Sequence, residues 1–280
     1  MRAGDILEST RIGFIGAGNM ANSLIRGLLA KGVNNTSISA ADIDSHKLEQ
    51  LRRACKIHTT TSTEIAANCD VIVLAVKPQV MKAVCLDLAK ALQARKVLLI
   101  SIAAGITLEH MQNWFGPESA IVRCMPNTPA LVGKGATGLF ANSQVNQAQR
   151  KLAADILSSV GLSLWVPNET DIDSVTALSG SGPAYFFLFM EAMQAAAQEM
   201  GLHQELARKL TYQTALGAAE LAMRSEEDTA DLRRNVTSPG GTTEQAIKQF
   251  TDGGLQKLVS KALHAARKRS VELASEFGKD

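Results

Sequence analysis

The sequence predicts an α/β protein: a doubly wound, largely parallel sheet of the Rossmann type over residues 1–168, followed by an all-helical region over 169–280. Short apolar runs alternate with helical stretches through the first part, which is the grammar of a sheet wound with helices on both faces. The turn Gly16-x-Gly18-x-x-Ala21 joins the first apolar run directly to the first helix. After Pro167 the strand signals stop and only helical patterns follow.

Taken in order, Ile12–Ile15, Ser37–Ala41, Val71–Val76, Val97–Ile102, Ala120–Cys124 and Leu162–Val166 read as strands. Most lack polar alternation, as strands covered on both faces do. Asn19–Lys31, Ser45–Ala54, Gln79–Leu92, Leu108–Phe115 and Gln147–Val160 read as helices between them. In the second part Asp171–Leu178, Pro183–Met200, Gln204–Met223 and Leu255–Phe277 are helical. The segment from Pro183 is apolar on nearly every side through its first two turns. It opens on proline, a good first helical residue, and ends at Gly201, a C-terminal cap. A helix apolar all round must be covered from several directions. So short a region offers few partners, and the pattern predicts that a second subunit covers part of it.

The formal net charge of +2 over 280 residues gives no reason to expect nucleic acid or an anionic membrane as partner. Cys55, Cys69, Cys85 and Cys124 show no metal or disulfide spacing and read as free, mostly buried thiols. His46, His58, His110, His203 and His264 are scattered, so no metal site is expected, and G-x-S-x-G is absent. The N-terminus carries acids and no apolar stretch, and no run approaches a membrane span. A cytoplasmic enzyme is expected.

The strand, glycine turn and helix order predicts a nicotinamide or flavin dinucleotide. Gly16 permits the tight turn, Gly18 lets backbone approach a pyrophosphate, and Ala21 lets the helix pack closely. The helix N-terminus offers N–H groups to the phosphates. In an open parallel sheet the ligand lies beyond the carboxyl ends of the strands, so the residues after each strand matter. They are Lys77-Pro78, Ala103-Ala104-Gly105 and Met125-Pro126-Asn127. Lys77 would place a point charge near phosphate or ribose, and Asn127 would hydrogen-bond nicotinamide or substrate. Asp42, at the end of the second strand, is placed to accept the adenosine ribose hydroxyls of NAD and to repel the phosphate of NADP. His46, Lys47, Arg52 and Arg53 follow it and pull toward NADP, leaving the choice open. In the helical part, Asn235-Val-Thr-Ser-Pro-Gly-Gly-Thr-Thr-Glu-Gln245 is polar and glycine-rich. Thr242 with Gln245 reads as a capping box, and the N–H groups around Gly240, Gly241 and Thr242 as an anion nest suited to a small carboxylate. Ser179-Gly-Ser-Gly-Pro183 offers Ser181 as an N-cap.

Together these stretches resemble the Δ1-pyrroline-5-carboxylate reductases of proline biosynthesis. The resemblance rests on F-I-G-A-G-N-M-A at Phe14–Ala21, A-V-K-P at Ala75–Pro78, S-I-A-A-G-I-T at Ser101–Thr107, R-C-M-P-N-T-P at Arg123–Pro129, L-S-G-S-G-P-A-Y at Leu178–Tyr185 and N-V-T-S-P-G-G-T-T at Asn235–Thr243. It implies a homodimer interlocked through the helical part, often five dimers to a ring, and hydride transfer from NADPH or NADH to the imine carbon, giving L-proline. It implies that Ser238, Gly240, Gly241 and Thr242 hold the substrate carboxylate, that Thr243 hydrogen-bonds the ring nitrogen, and that Glu226 helps organise the site. The expected cofactor set is Gly16, Gly18, Asn19, Met20, Ala21, Asp42, Ser62, Val76, Lys77, Pro78, Ala103, Ala104, Gly105 and Asn127. Family members favouring NADPH often carry a small hydroxyl residue where Asp42 stands and asparagine where Ser62 stands, so either cofactor is expected to serve. A β-hydroxyacid dehydrogenase would need a lysine in the helix from Ser179 to Met200, which has none. A dinucleotide sensor would have no use for the Ser238–Thr243 loop.

Overall fold

The computed structural model describes residues 7, 9–93 and 95–277. Most of the N-terminal stretch expected to carry no leader lies outside the described residues. The chain divides into two compact units. One runs to Ser181 and takes up the chain again from Ala265; the other is Gly182–His264.

The first unit is an eight-stranded sheet. Its strands are β1 (Ile12–Ile15), β2 (Ile38–Ala41), β3 (His58–Thr59), β4 (Val71–Leu74), β5 (Leu98–Ser101), β6 (Ala120–Met125), β7 (Gly135–Ala141) and β8 (Gly161–Trp165), in the order β3-β2-β1-β4-β5-β6-β7-β8. β1 through β6 pair in parallel, β7 runs antiparallel to β6, and β8 is parallel to β7. The strand order reverses at β1, whose neighbours are β2 and β4. Helices α1 (Asn19–Ala30), α2 (Ser45–Cys55), α3 (Ser62–Asn68), α4 (Pro78–Leu92), α5 (Leu108–Phe115), α6 (Gln147–Leu157) and the short α7 (Asp171–Val175) complete this part of the chain.

Alternate residues of each strand enter opposite cores, which is why the strands read as continuous apolar runs. Val71, Val73, Leu98 and Ile100 pack with Leu24, Ile25 and Leu28 of α1 and Ile156 and Leu157 of α6. Ile72, Leu74 and Leu99 pack with Met81, Cys85 and Leu88 of α4, Ile65 of α3 and Met111 of α5. The four cysteines are buried and free. Burial pushes the Cys69 and Cys85 thiols up to about 11 and about 12, and raises those of Cys55 and Cys124. They are inert packing groups.

Two strands escaped the sequence reading. β3 has only two residues, too few to show a period. β7 carries Gly135 and Gly138 where a strand pattern expects branched side chains, because a Cβ on Gly138 would meet Val175 at 2.8 Å. The helix read as Asp171–Leu178 stops at Val175 and continues as a π-helical turn, Thr176–Gly180. Ser181 is therefore not the N-cap expected. It leaves that turn with its N–H donating to the Thr176 carbonyl at 2.8 Å.

The second unit holds α8 (Gly182–Glu199), α9 (Gln204–Arg224), α10 (Thr229–Asn235), α11 (Thr242–Asp252) and the start of α12 (Leu255–Phe277), which ends in the first unit. Gly201 terminates α8 as read, with φ of 95° and Leu202 N–H donating to the Ala197 carbonyl. Phe189 and Phe250 bring α8 and α11 together, their rings tilted with centroids 5.9 Å apart. Much of the apolar surface of α8 and α9 faces solvent in the single chain, including Phe186, Phe187, Leu188, Leu210 and Leu216. No described helix is long and apolar enough to cross a membrane.

Candidate functional site

The glycine turn sits at the reversal of strand order, the position where open α/β sheets bind ligands. Gly16 has φ of 104°, and a Cβ there would lie 2.5 Å from the Ala75 carbonyl oxygen. Only glycine fits. Gly18 is the N-cap of α1 in extended backbone, and a Cβ on it would meet nothing within 4 Å. No side chain caps this helix, so the first-turn N–H groups around Asn19, Met20 and Ala21 are left for a ligand. Open space over Gly18 and an uncapped helix start fit a pyrophosphate.

Asp42 is tied into this turn. Its Oδ2 accepts from Ala17 N–H at 2.6 Å, and its Oδ1 accepts from Asp44 N–H at 2.9 Å. The two chain segments meet because Ile15 pairs with Ala41 and Gly16 N–H donates to the Ala41 carbonyl. Ser62 opens α3 after β3, at the same carboxyl edge, beside the Thr61 hydroxyl that accepts from Glu64 N–H. Val76, Lys77 and Pro78 follow β4. Lys77 is exposed and Pro78 is the first residue of α4.

Ala103, Ala104 and Gly105 follow β5 and are held from two sides. A Cβ on Gly105 would lie 3.1 Å from the Phe277 ring. At the other end Thr107 caps α5: its hydroxyl accepts from His110 N–H, and Thr107 N–H donates to His110 Nδ1. The half-buried His110 stacks on Trp114, and burial makes its imidazole harder to protonate than usual. Beneath this lies Arg123 on β6, 3% exposed, 2.9 Å from Glu169 and 3.5 Å from Asp173. Glu169 also accepts from Leu108 N–H, and Asp173 from the Ser270 hydroxyl of α12 at 2.7 Å. This buried ionic network was not anticipated. Its members lie up to 147 residues apart (Arg123 to Ser270), so no local pattern announces it.

Asn127 is buried, and its amide is engaged inside the protein. Nδ2 donates to the Ser179 carbonyl at 2.9 Å and Oδ1 accepts from Ala136 N–H at 2.8 Å. It fastens the loop after β6 to the π-helical turn. One amide hydrogen and one carbonyl lone pair remain for a ligand.

In the second unit, Ser238–Gly241 is a tight turn closed by Gly241 N–H donating to the Ser238 carbonyl at 3.0 Å, with Gly240 at φ of 73°. The N-cap of α11 is Gly241, with no side-chain cap, so Thr242 is the first helical residue and not the capping-box residue expected. The turn needs Gly241 N–H for its own closure. Gly240 N–H goes to the Glu244 carboxylate at 2.8 Å, a contact the sequence reading missed. The first-turn N–H groups of α11, which start at Thr242 and Thr243, are the donors this turn presents to an anion. Glu226 is exposed within the α9–α10 connection, while its neighbour Glu227 accepts from Asn235 Nδ2 at 2.9 Å and braces the loop's entry. Among the described residues no group of three or more His, Cys, Asp or Glu side chains is placed to hold a metal.

The first unit thus carries a dinucleotide-type turn, and the second, taken by itself, an uncapped helix start after a glycine turn. Comparison with known proteins agrees. A family described as pyrroline-5-carboxylate reductase dimerisation matches residues 169–273, and one described as NADP oxidoreductase, coenzyme F420-dependent, matches residues 11–105. The chain is 52% identical over 273 residues to the pyrroline-5-carboxylate reductase of Pseudomonas aeruginosa, covering 97% of this chain and 100% of that one. The solved structure of such a reductase from Coxiella burnetii superposes with a TM-score of 0.92 at 49% identity, covering 95% of this chain and 99% of that one. That of Plasmodium falciparum, solved with NADP bound, gives 0.84 at 31% identity over 96% and 99% of the two chains. Likeness of this degree over essentially the whole length, in both units at once, makes the chain a member of the pyrroline-5-carboxylate reductase family.

Proposed function

We propose that this chain reduces Δ1-pyrroline-5-carboxylate to L-proline with NADPH or NADH, the last step of proline biosynthesis. The observation that carries the reading is the 52% identity to the Pseudomonas aeruginosa reductase over 97% of the chain. The boundary between a dinucleotide-binding and a substrate-binding, dimerising part is placed at 168–169. The assembly is a homodimer, five of which form a ring, and the enzyme works in the cytoplasm.

When bound, the reduced nicotinamide supplies a hydride. The remaining tasks fall to the chain. The start of α1 neutralises pyrophosphate charge through its N–H groups and dipole. Ala103, Ala104, Gly105, Val76, Lys77, Pro78 and Asn127 shape the rest of the cofactor site. The turn of Ser238, Gly240, Gly241 and Thr242 seats the substrate carboxylate against the first-turn N–H groups that start at Thr242, with Glu226 organising the loop. The imine carbon must be held at near-contact distance from its hydride donor, and that positioning supplies much of the rate. A protonated imine accepts hydride more readily, and the Thr243 hydroxyl orients that proton at the ring nitrogen.

The test is initial-rate oxidation of NADPH and NADH in the presence of pyrroline-5-carboxylate. Rapid turnover with either supports the reading; none, from folded protein that binds dinucleotide, overturns it. Thr243→Ala should lower turnover by roughly ten- to a thousandfold, the range for losing one positioned donor. Full activity would remove Thr243 from the mechanism.

A further inference from the structure

Resting on the proposed reductase function, we propose that Phe277, at the end of α12, is a positioning residue for hydride transfer: it props the Ala103–Gly105 loop, which faces the nicotinamide half of the cofactor. That half is assigned by strand order. The glycine turn after β1 takes the pyrophosphate, and the end of β2 takes the adenosine ribose. In the order β3-β2-β1-β4-β5 the remaining half falls on the other side of β1, to the ends of β4 and β5.

The loop after β5 rests on the helix end. Ala103, Gly105 and Ile106 are buried, and Ala104 among them is half-buried. Gly105 has φ of 75°, and a Cβ on it would lie 3.1 Å from Cδ2 and Cε2 of Phe277 and 3.3 Å from Cβ of Leu273. The bare peptide therefore sits against the Phe277 ring with no side chain between them. Inside the loop the brace is weak, since Ala103 N–H reaches the Ser101 hydroxyl only at 3.4 Å.

The helix end is itself fixed. Ser270, Leu273 and Phe277 stand at i, i+3 and i+7, on one face of α12. Lys268, Arg269, Glu272 and Glu276 occupy the other faces and pair with one another. The buried Ser270 hydroxyl donates to Asp173, which lies 3.5 Å from Arg123. Arg123 is in register with Ser101, the last residue of β5 before the loop. Arg123 also pairs with Glu169, which accepts from the N–H of Leu108, the first residue of α5 after the loop. One ionic network thus ties both ends of the loop and the helix that supports its middle. Removing the Phe277 ring opens a gap under Gly105 and leaves those ends tied, so the loop loosens locally while the fold stands. Hydride transfer is sensitive to that, because a misplacement of about 1 Å costs on the order of a hundredfold.

The experiment compares wild type, Phe277→Leu and Phe277→Ala. It reads hydrogen exchange of the 102–107 backbone without cofactor, Kd for NADH and NADPH by fluorescence titration, and kcat and KM with pyrroline-5-carboxylate. Phe277→Ala should speed exchange at 103–105 at least about tenfold and lower kcat by roughly ten- to a hundredfold. Its Kd for either cofactor should stay within about threefold of wild type, because the pyrophosphate and adenosine contacts lie at β1 and β2. Phe277→Leu, which keeps part of the apolar bulk, should fall between the two. Ser270→Ala should act in the same direction through the helix anchor. Ser275→Ala, whose hydroxyl donates to the Val271 carbonyl of its own helix, should change nothing. Loop exchange equal to wild type in folded Phe277→Ala overturns the proposal, as does a kcat within about twofold of wild type. A loss of kcat matched by an equal weakening of Kd marks general damage and overturns it too. Should Phe277→Ala not fold, Phe277→Leu decides by the same criteria, with smaller changes in the same sense. Wild type that binds dinucleotide but turns over no pyrroline-5-carboxylate overturns the proposed function, and the role in hydride transfer with it, before any variant is made.

Discussion

A methyl group added at Gly18 would meet no heavy atom within 4 Å, and the backbone there has an ordinary φ of −72°. At Gly16 the same methyl would collide with the Ala75 carbonyl oxygen, on a backbone with φ of 104°. The two glycines of one motif therefore answer to different demands. Gly16→Ala should destabilise the fold, by about 1–3 kcal/mol for strain at a positive-φ position. Gly18→Ala should leave thermal unfolding close to wild type, within about 0.5 kcal/mol, while weakening dinucleotide binding at least tenfold, because the methyl fills the approach to the pyrophosphate. Calorimetry beside fluorescence titration checks both; equal loss of stability in the two variants would show that Gly18 serves the fold. The motif itself is legible in sequence. The division of labour within it depends on Ala75, which approaches Gly16 from another strand end.

Among the elements, α5 carries a titratable cap. Its N-terminal box uses His110 Nδ1 as an acceptor from Thr107 N–H, and only a neutral ring has that acceptor. Burial, then Arg123, holds the imidazole below its ordinary protonation range, against the opposing charges of Glu109 and Glu169. The folded protein thus binds this proton less readily than the unfolded chain. The cap is complete above the ordinary imidazole value of 6.5 and its contribution declines as pH falls below it. A helix cap is worth about 0.5–2 kcal/mol, and this one adjoins the Ala103–Gly105 loop. Melting curves across that range should show an acid loss that His110→Gln, which keeps an acceptor without titrating, reduces; an unchanged pH profile in that variant would exclude His110 as its source. The helix was readable from its spacing, as were α1, α2, α4 and most of the strands. α3 and α10 were not, since seven residues each give barely two turns of period.

For the whole molecule, the apolar first turns of α8 predicted a covering subunit, and the single chain leaves Phe186, Phe187 and Leu188 each more than half exposed. Large apolar side chains left exposed on successive faces of one helix point to a covering partner, and a dimerisation family spans the region. Phe187→Glu should therefore convert the proposed dimer to monomer in sedimentation and lower its melting temperature; an unaltered sedimentation coefficient would place the interface elsewhere. By itself the sequence determined the α/β class, the glycine turn and the helical second part, because each is written in local pattern: short continuous apolar runs, period 3.6, and glycine where only glycine fits; the family resemblance was written in its motifs. The tertiary structure decided what the polar side chains do. Asp42 is anchored by an N–H from a neighbouring strand end, Asn127 is engaged between Ser179 and Ala136, Gly240 N–H is taken by Glu244, and Arg123 is buried among Glu169 and Asp173. A polar group has only a few bonds to give, and which partners claim them is settled when distant segments of chain arrive beside it.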